Sequence, residues 1–143
     1  MKVQYHAGLS LSVALGVYTL SRSAAMAVAS FAAGVFVDVD HVFDYLREYR
    51  FRTDIVFFFR SFHATLYRRI VLFLHSWELL ILLAAAAVWS RGDGVIVGAI
   101  IGMGHHLVAD QFTNRVHRWG YFFSYRVGKK FVTGKIFPGK GLS

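Results

Sequence analysis

This chain of 143 residues contains no cysteine and a single proline, Pro138. The absence of cysteine excludes disulfides, thiolate metal ligands and cysteine-held iron–sulfur clusters. Any bound metal must therefore be held by histidine, aspartate and glutamate. Charge is also scarce, because charged residues make up 17% of the chain while hydrophobic residues make up 56%. Soluble domains carry about a quarter charged residues, so the composition favours a membrane protein.

The hydrophobic residues are gathered into four runs, which predict membrane-spanning helices at about 3–20, 24–41, 70–89 and 95–110. Each run is near the minimum length for crossing a hydrocarbon core of about 30 Å. We therefore expect an all-α, polytopic membrane protein, residues 1–143 forming one four-helix domain. Helical spacing of aromatic residues predicts an amphipathic interfacial helix at about 53–67, and a basic, aromatic C-terminal segment at about 115–143 is expected to lie on the membrane surface.

Positive charge predicts the orientation of these spans. With four spans, one side carries all of the 16 Lys and Arg residues except Arg22 and Arg91. The positive-inside rule then places both termini in the cytoplasm. A cleaved signal peptide is the alternative for the first run, but its removal would leave three spans and spoil this asymmetry. The net charge of +8 is explained by topology and anionic lipid headgroups, so we expect no nucleic-acid partner.

A row of small residues organises the last apolar run. Gly94, Gly98 and Gly102 recur every four residues, and the row continues into His106 and Asp110. Positions four apart share a helix face, so the glycines predict close approach of another helix. Ionisable groups at the end of such a helix need a partner, and a metal ion is the obvious one.

Other ionisable residues are predicted at the same membrane depth, on the cytoplasmic side. Counted together with His106 and Asp110, these ionisable residues number nine: His6, Asp38, Asp40, His41, His75, Glu78, His105, His106 and Asp110. Asp40 would point away from Asp38 in an intact helix, so we expect it where the helix ends. The group exceeds the ligand count of one ion, so it indicates two or three ions, or one ion whose ligands are oriented by the remaining residues. Imidazole mixed with carboxylate suits zinc, with manganese or iron as alternatives.

Four motifs in this order resemble a known family. They are His6; the Asp-x-Asp-His sequence of Asp38, Asp40 and His41; the pair His75 and Ser76; and the glycine-rich approach to His105 and His106 followed by Asp110. The pattern resembles the inner-membrane-associated metal-dependent hydrolases, which include LexA-regulated bacterial members. That family is distantly similar to zinc-dependent phospholipases C and single-strand-specific zinc nucleases. The resemblance implies a hydrolase bound to the inner membrane, with a His/Asp zinc site.

Our main hypothesis is a metal-dependent hydrolase of a phosphoester, with a lipid-like substrate entering from the cytoplasmic leaflet. The predicted ligands are His6, Asp38, His41, His75, His106 and Asp110, with His105 as a further candidate. Glu78 or Asp40 is the expected general base, because a carboxylate beside a metal can take a proton from water. Arg68 and Arg69 are candidates for binding the substrate phosphate. We assign no role to His63 or His117.

The alternative hypothesis is a metal-binding membrane protein without catalysis, either a transporter or a structural metal site. A transporter places its site near the midplane, with polar residues leading to both sides. The outer halves of the predicted spans carry little polar beyond Ser10, Ser12, Thr19 and Ser30, which argues against a path through the membrane. A structural site, tying four helices together, stays open.

Overall fold

A computed structural model describes residues 3–50, 52, 54–64 and 66–138. This part of the chain is all-α, as predicted, apart from an isolated antiparallel bridge between Arg69 and Val132. The helices are α1 (Val3–Ser21), α2 (Ala24–Phe36), α3 (Val39–Tyr49), α4 (Ile55–Ala64), α5 (Trp77–Trp89), α6 (Gly94–Thr113), α7 (Phe123–Gly128) and α8 (Thr133–Ile136).

Among the described residues, two stretches are long and apolar enough to cross a membrane, not the four that we predicted. They are Ala24–Tyr49 and Gly94–Thr113. Helix α5 has 13 residues, about 20 Å, which is too short for a core of about 30 Å. Helix α1 has 19 residues, but polar side chains such as Gln4 and His6 lower its hydropathy. In the most apolar windows of the two stretches only 22% and 33% of residues are buried, so much of their apolar surface faces outward.

The stretch Ala24–Tyr49 is broken by a tight turn, as the position of Asp40 suggested. Helix α2 ends at Phe36 and α3 begins at Val39. Across the turn the amides bond three residues back, from Asp38 to the carbonyl of Val35 at 3.3 Å and from His41 to that of Asp38 at 3.1 Å. Such bonds wind the chain more tightly than an α-helix does. The turn lets Asp38 and Asp40 both reach one side chain, His75, which an intact helix would not allow.

Helices α2 and α6 pack at backbone contact through the glycine row. A Cβ atom built on Gly98 would lie 2.2 Å from the carbonyl oxygen of Met26, and one on Gly102 would lie 2.0 Å from that of Ser30. No side chain can occupy such a space, so these positions admit glycine alone. The close helix approach predicted from the spacing is confirmed. It brings the C-terminal half of α6 against the end of α2.

Residues 70–76 were predicted to open the third span, but they are not helical. Helix α5 begins only at Trp77, where the hydroxyl of Ser76 caps it by accepting from the amide of Leu79 at 3.3 Å. Upstream of the cap, the chain is buried against α3 and the C-terminal segment. The hydrophobic core there includes Tyr67, Ile70, Leu72, Tyr121 and Ile136. The C-terminal segment is therefore part of the core and not only a surface element.

Candidate metal centre

Four of the predicted ligands converge on one point. The Nε2 atoms of His75 and His106 lie 3.2 Å apart. Asp38 Oδ1 is 3.5 Å from each of these nitrogens, and Asp110 Oδ2 is 3.7 Å from His75 and 3.8 Å from His106. Ligands about 2.1 Å from a tetrahedral ion lie about 3.4 Å from one another. The four atoms thus have the mutual spacing of a tetrahedral ligand set.

The rings of His75 and His106 are each oriented by an acceptor at Nδ1, the ring nitrogen outside the set of four atoms. His106 Nδ1 lies 2.7 Å from the carbonyl oxygen of Gly34. A carbonyl only accepts, so Nδ1 carries a proton, and in the neutral imidazole Nε2 carries the lone pair. His75 Nδ1 lies 3.3 Å from Asp40 Oδ2, and the same reasoning applies. Two lone pairs and two carboxylate oxygens then face one another, an arrangement that requires a proton or a cation between them.

His6 and His41 flank this set of four atoms. His6 Nε2 lies 3.0 Å from Asp110 Oδ1, and its ring stacks on that of His106 with centroids 4.1 Å apart. The ring of His41 meets that of His75 edge-on at 5.2 Å. Two triads result, His6–His106–Asp110 and Asp38–His41–His75, and in each the three ligand atoms lie within 4.8 Å of one another. Both triads could hold metal ions.

The cluster is closed on most sides and least buried at one edge. The side chains of His6, His75, His106 and Asp110 are buried. Asp38 is more open, with 13% of its side chain exposed, and His41 beside it is half-buried. Water or a small part of a substrate would therefore meet the cluster along the edge formed by Asp38 and His41.

Asp40 holds the segment that carries His75. Its Oδ2 accepts from the backbone amide of His75 at 3.0 Å and from that of Leu74, in addition to its contact with the His75 ring. Asp44, one turn later on α3, does the same for the amide of Val71, at 2.9 Å. Sequence reasoning missed Asp44, although its spacing of four from Asp40 is the signal that could have identified it.

Glu78 and His105 are engaged elsewhere. The carboxylate of Glu78 accepts from the amides of Phe123 at 2.8 Å and Ser124 at 2.9 Å, so it holds the start of α7. The ring of His105, a residue of α6, faces α1. Its Nε2 lies 3.1 Å from the Ser10 hydroxyl, and its Nδ1 lies 3.1 Å from the carbonyl oxygen of Ile101 on the same helix. The structure thus brings neither residue into the set of four atoms.

The remaining candidates lie in other parts of the fold. Arg68 and Arg69 have exposed side chains, and their backbone joins the C-terminal segment through the bridge to Val132. His117 stacks on Tyr125 with ring centroids 4.8 Å apart. The side chain of His63 lies outside what the structure describes.

Arg126 is a second residue that sequence reasoning missed as part of the site. It was one basic residue among several in a surface segment, yet its side chain is fully buried. The guanidinium donates to the carbonyls of His75 at 2.9 Å, Gly120 at 2.9 Å and Leu72 at 2.8 Å. Burial lowers the pKa of Arg126 to about 10, so the group stays charged at neutral pH. It anchors the segment that presents His75.

Comparison with known proteins adds no family assignment: no protein-family model, curated protein or solved structure matches this chain. The family resemblance therefore rests on the four motifs alone. What the structure supports is buried His/Asp clusters that could bind metal, together with two apolar stretches that could cross a membrane.

Proposed function

We propose that this chain is a membrane-bound, metal-dependent hydrolase that acts on a phosphoester in a lipid-like substrate. The observation that carries the proposal is the set of four acceptors, two imidazole nitrogens and two carboxylate oxygens, spaced by 3.2–3.8 Å in the five distances measured. Mixed nitrogen and oxygen ligands in tetrahedral spacing fit zinc, with manganese or iron as alternatives. His6 and His41 would complete the two triads, and the whole cluster would then hold one to three ions.

The chemistry divides between the ion and the chain. A divalent ion, when bound, supplies Lewis-acid activation of water and of a phosphoryl oxygen. The chain holds the imidazoles in the correct tautomer through Asp40 and the carbonyl of Gly34. Asp38 is the most open carboxylate of the cluster, and its second oxygen is suited to accept a proton from water at that edge. Asp40 is already engaged with backbone amides, as Glu78 is, so in this proposal they position other groups.

The two apolar stretches that could cross a membrane support a lipid-like substrate. We propose that α1, which packs against α2 and α6, and α5, which packs against α6, accompany the two apolar stretches in the membrane, with both termini in the cytoplasm. Exposed aromatic side chains, Phe36, Phe43 and Phe112, lie two residues from cluster residues and face outward. They would contact acyl chains at the depth of the site. Arg68 and Arg69 are exposed and could bind anionic headgroups.

Elemental analysis of gently purified protein in detergent, paired with a screen of phosphoester substrates, tests this proposal. We expect about one or more equivalents of transition metal and hydrolysis of a phospholipid or nucleotide ester. Asp110→Asn should abolish turnover without lowering expression. Asp93→Asn is the matched control, because Asp93 caps the opposite end of the same helix and asparagine is also a good cap. Metal-free protein with full activity would refute the proposal.

A structural metal site is the second candidate, and the burial of the cluster favours it. Its members come from α1, the α2–α3 turn, the segment before α5, and α6, so a bound ion would tie these parts together. A purely structural ion would be revealed if chelation unfolded the protein and no phosphoester were hydrolysed. Hydrolysis that is lost on chelation and restored by metal, with the fold intact, would favour the enzyme.

A further inference from the structure

The phenol of Tyr121 reaches the cluster from the segment between α6 and α7. Its hydroxyl donates to Asp110 Oδ2 at 3.3 Å, the oxygen that lies 3.7 Å from His75 Nε2. Its ring is nearly parallel to that of His75, with centroids 6.2 Å apart. The side chain is only 1% exposed. A buried phenol thus contacts two of the proposed ligands at once.

Asn114 determines the direction of the phenol's proton. It caps the C-terminal end of α6, four residues after Asp110. Its amide nitrogen donates to the Tyr121 oxygen at 2.9 Å. An amide nitrogen can only donate, so the phenol oxygen accepts there and its own proton is directed to the carboxylate. The result is a relay of hydrogen bonds from Asn114 through Tyr121 to Asp110.

The orientation of the Asp110 carboxylate matters because its two oxygens serve different partners. Oδ1 lies 3.0 Å from His6 Nε2, while Oδ2 faces His75 and His106. Rotation of the carboxylate would move Oδ2 out of the set of four atoms. A hydrogen bond from Tyr121 to Oδ2 opposes that rotation.

We infer that Tyr121 and Asn114 are positioning residues, which hold the Asp110 carboxylate in the orientation that binds metal. The inference rests on the proposed metal-binding function and goes beyond it, since neither residue is itself a ligand. Groups that orient metal ligands change metal affinity by about 10–100-fold when they are removed.

Titration of the metal-free full chain in detergent with Co²⁺, followed by visible absorption, tests the inference. Tyr121→Phe removes the hydroxyl and keeps the ring. We expect affinity for Co²⁺ to fall about 10-fold or more, with a shifted visible spectrum, because one ligand is less well oriented. Asn114→Leu should weaken binding in the same direction. The double variant should be no weaker than the more affected single variant, because both act through one relay.

Tyr67→Phe is the matched control. Tyr67 is also fully buried, and its hydroxyl makes no hydrogen bond within the described part of the chain. This variant should bind Co²⁺ as the wild type does. Unchanged Co²⁺ affinity in Tyr121→Phe, with a lower melting temperature of the metal-free protein, would mean a structural role and overturn the inference. Failure of the wild type to bind Co²⁺ would instead overturn the proposed function, and this inference with it.

Discussion

The Nε2 atoms of His75 and His106 lie 3.2 Å apart, and each ring is held at its Nδ1 atom by an acceptor. One ring stands on the segment before α5 and the other within α6, so their contact joins two parts of the fold that are 31 residues apart. Lone pairs at this distance repel unless a proton or a cation lies between them. The pair is therefore a point at which a bound cation would relieve repulsion in the fold.

Replacement of either imidazole should lower the metal content of the protein. We expect His75→Gln and His106→Gln each to bring the metal content below about half of the wild-type value, because a tetrahedral set loses one of its four ligands. His117→Gln is the control, since that ring stacks on Tyr125 outside the cluster. Elemental analysis per mole of purified protein provides the measurement. Wild-type metal content in both cluster variants would contradict the assignment.

Replacing glycine by alanine should lower the stability of the protein at Gly102 on α6 and raise it at Gly16 on α1. Gly102→Ala places a methyl group 2.0 Å from the Ser30 carbonyl oxygen, so we expect a loss of about 1–3 kcal/mol or more. Metal content should fall as well, because α6 carries His106 and Asp110. At Gly16 on α1 nothing lies within 4 Å, and alanine should add up to about 1 kcal/mol from helix propensity. Thermal unfolding in detergent measures both, and equal stability of the two variants would be incompatible with backbone contact at Gly102.

Arg126→Met should loosen the segment that presents His75. The substitution leaves three buried carbonyls without their charged donor, and each such group costs about 1–3 kcal/mol. We expect a clear fall in melting temperature and faster proteolysis within residues 66–76. Arg118→Met, at an exposed arginine, should change neither. Proteolysis at the wild-type rate in Arg126→Met would show that other contacts are sufficient to hold this segment.

Glu78→Gln distinguishes an anchoring carboxylate from a general base. Four hydrogen bonds reach this carboxylate, from the amides of Phe123 and Ser124 and the hydroxyls of Ser76 and Ser124. A neutral amide accepts more weakly, so we expect a loss of about 1–2 kcal/mol with metal content unchanged. Turnover should fall only in proportion to the folded fraction. Complete loss of turnover at unchanged stability would instead identify Glu78 as the general base expected from the sequence.

Local spacing was sufficient to predict much of the helical framework and to select the histidines and aspartates that the structure brings together in two triads. The period of four in Gly98 and Gly102 predicted a helix contact that the structure confirms, because a helix repeats its face every three to four residues whatever surrounds it. The same periodicity put His106 and Asp110 on one face. It also favoured Asp40 at a helix end, since two residues along an intact helix point in nearly opposite directions.

Tertiary structure decided which of the neighbouring candidates meet. His105 and His106 are adjacent in the chain, yet one bonds Ser10 and the other faces His75, because adjacent side chains point about 100° apart around a helix and so meet different neighbours. Glu78, Tyr121 and Arg126 each acquire at least one partner from more than ten residues away, namely Phe123, Asp110 and Leu72 respectively. No local pattern encodes such contacts, since the burial that makes a phenol or a guanidinium part of a site arises only when distant segments pack together.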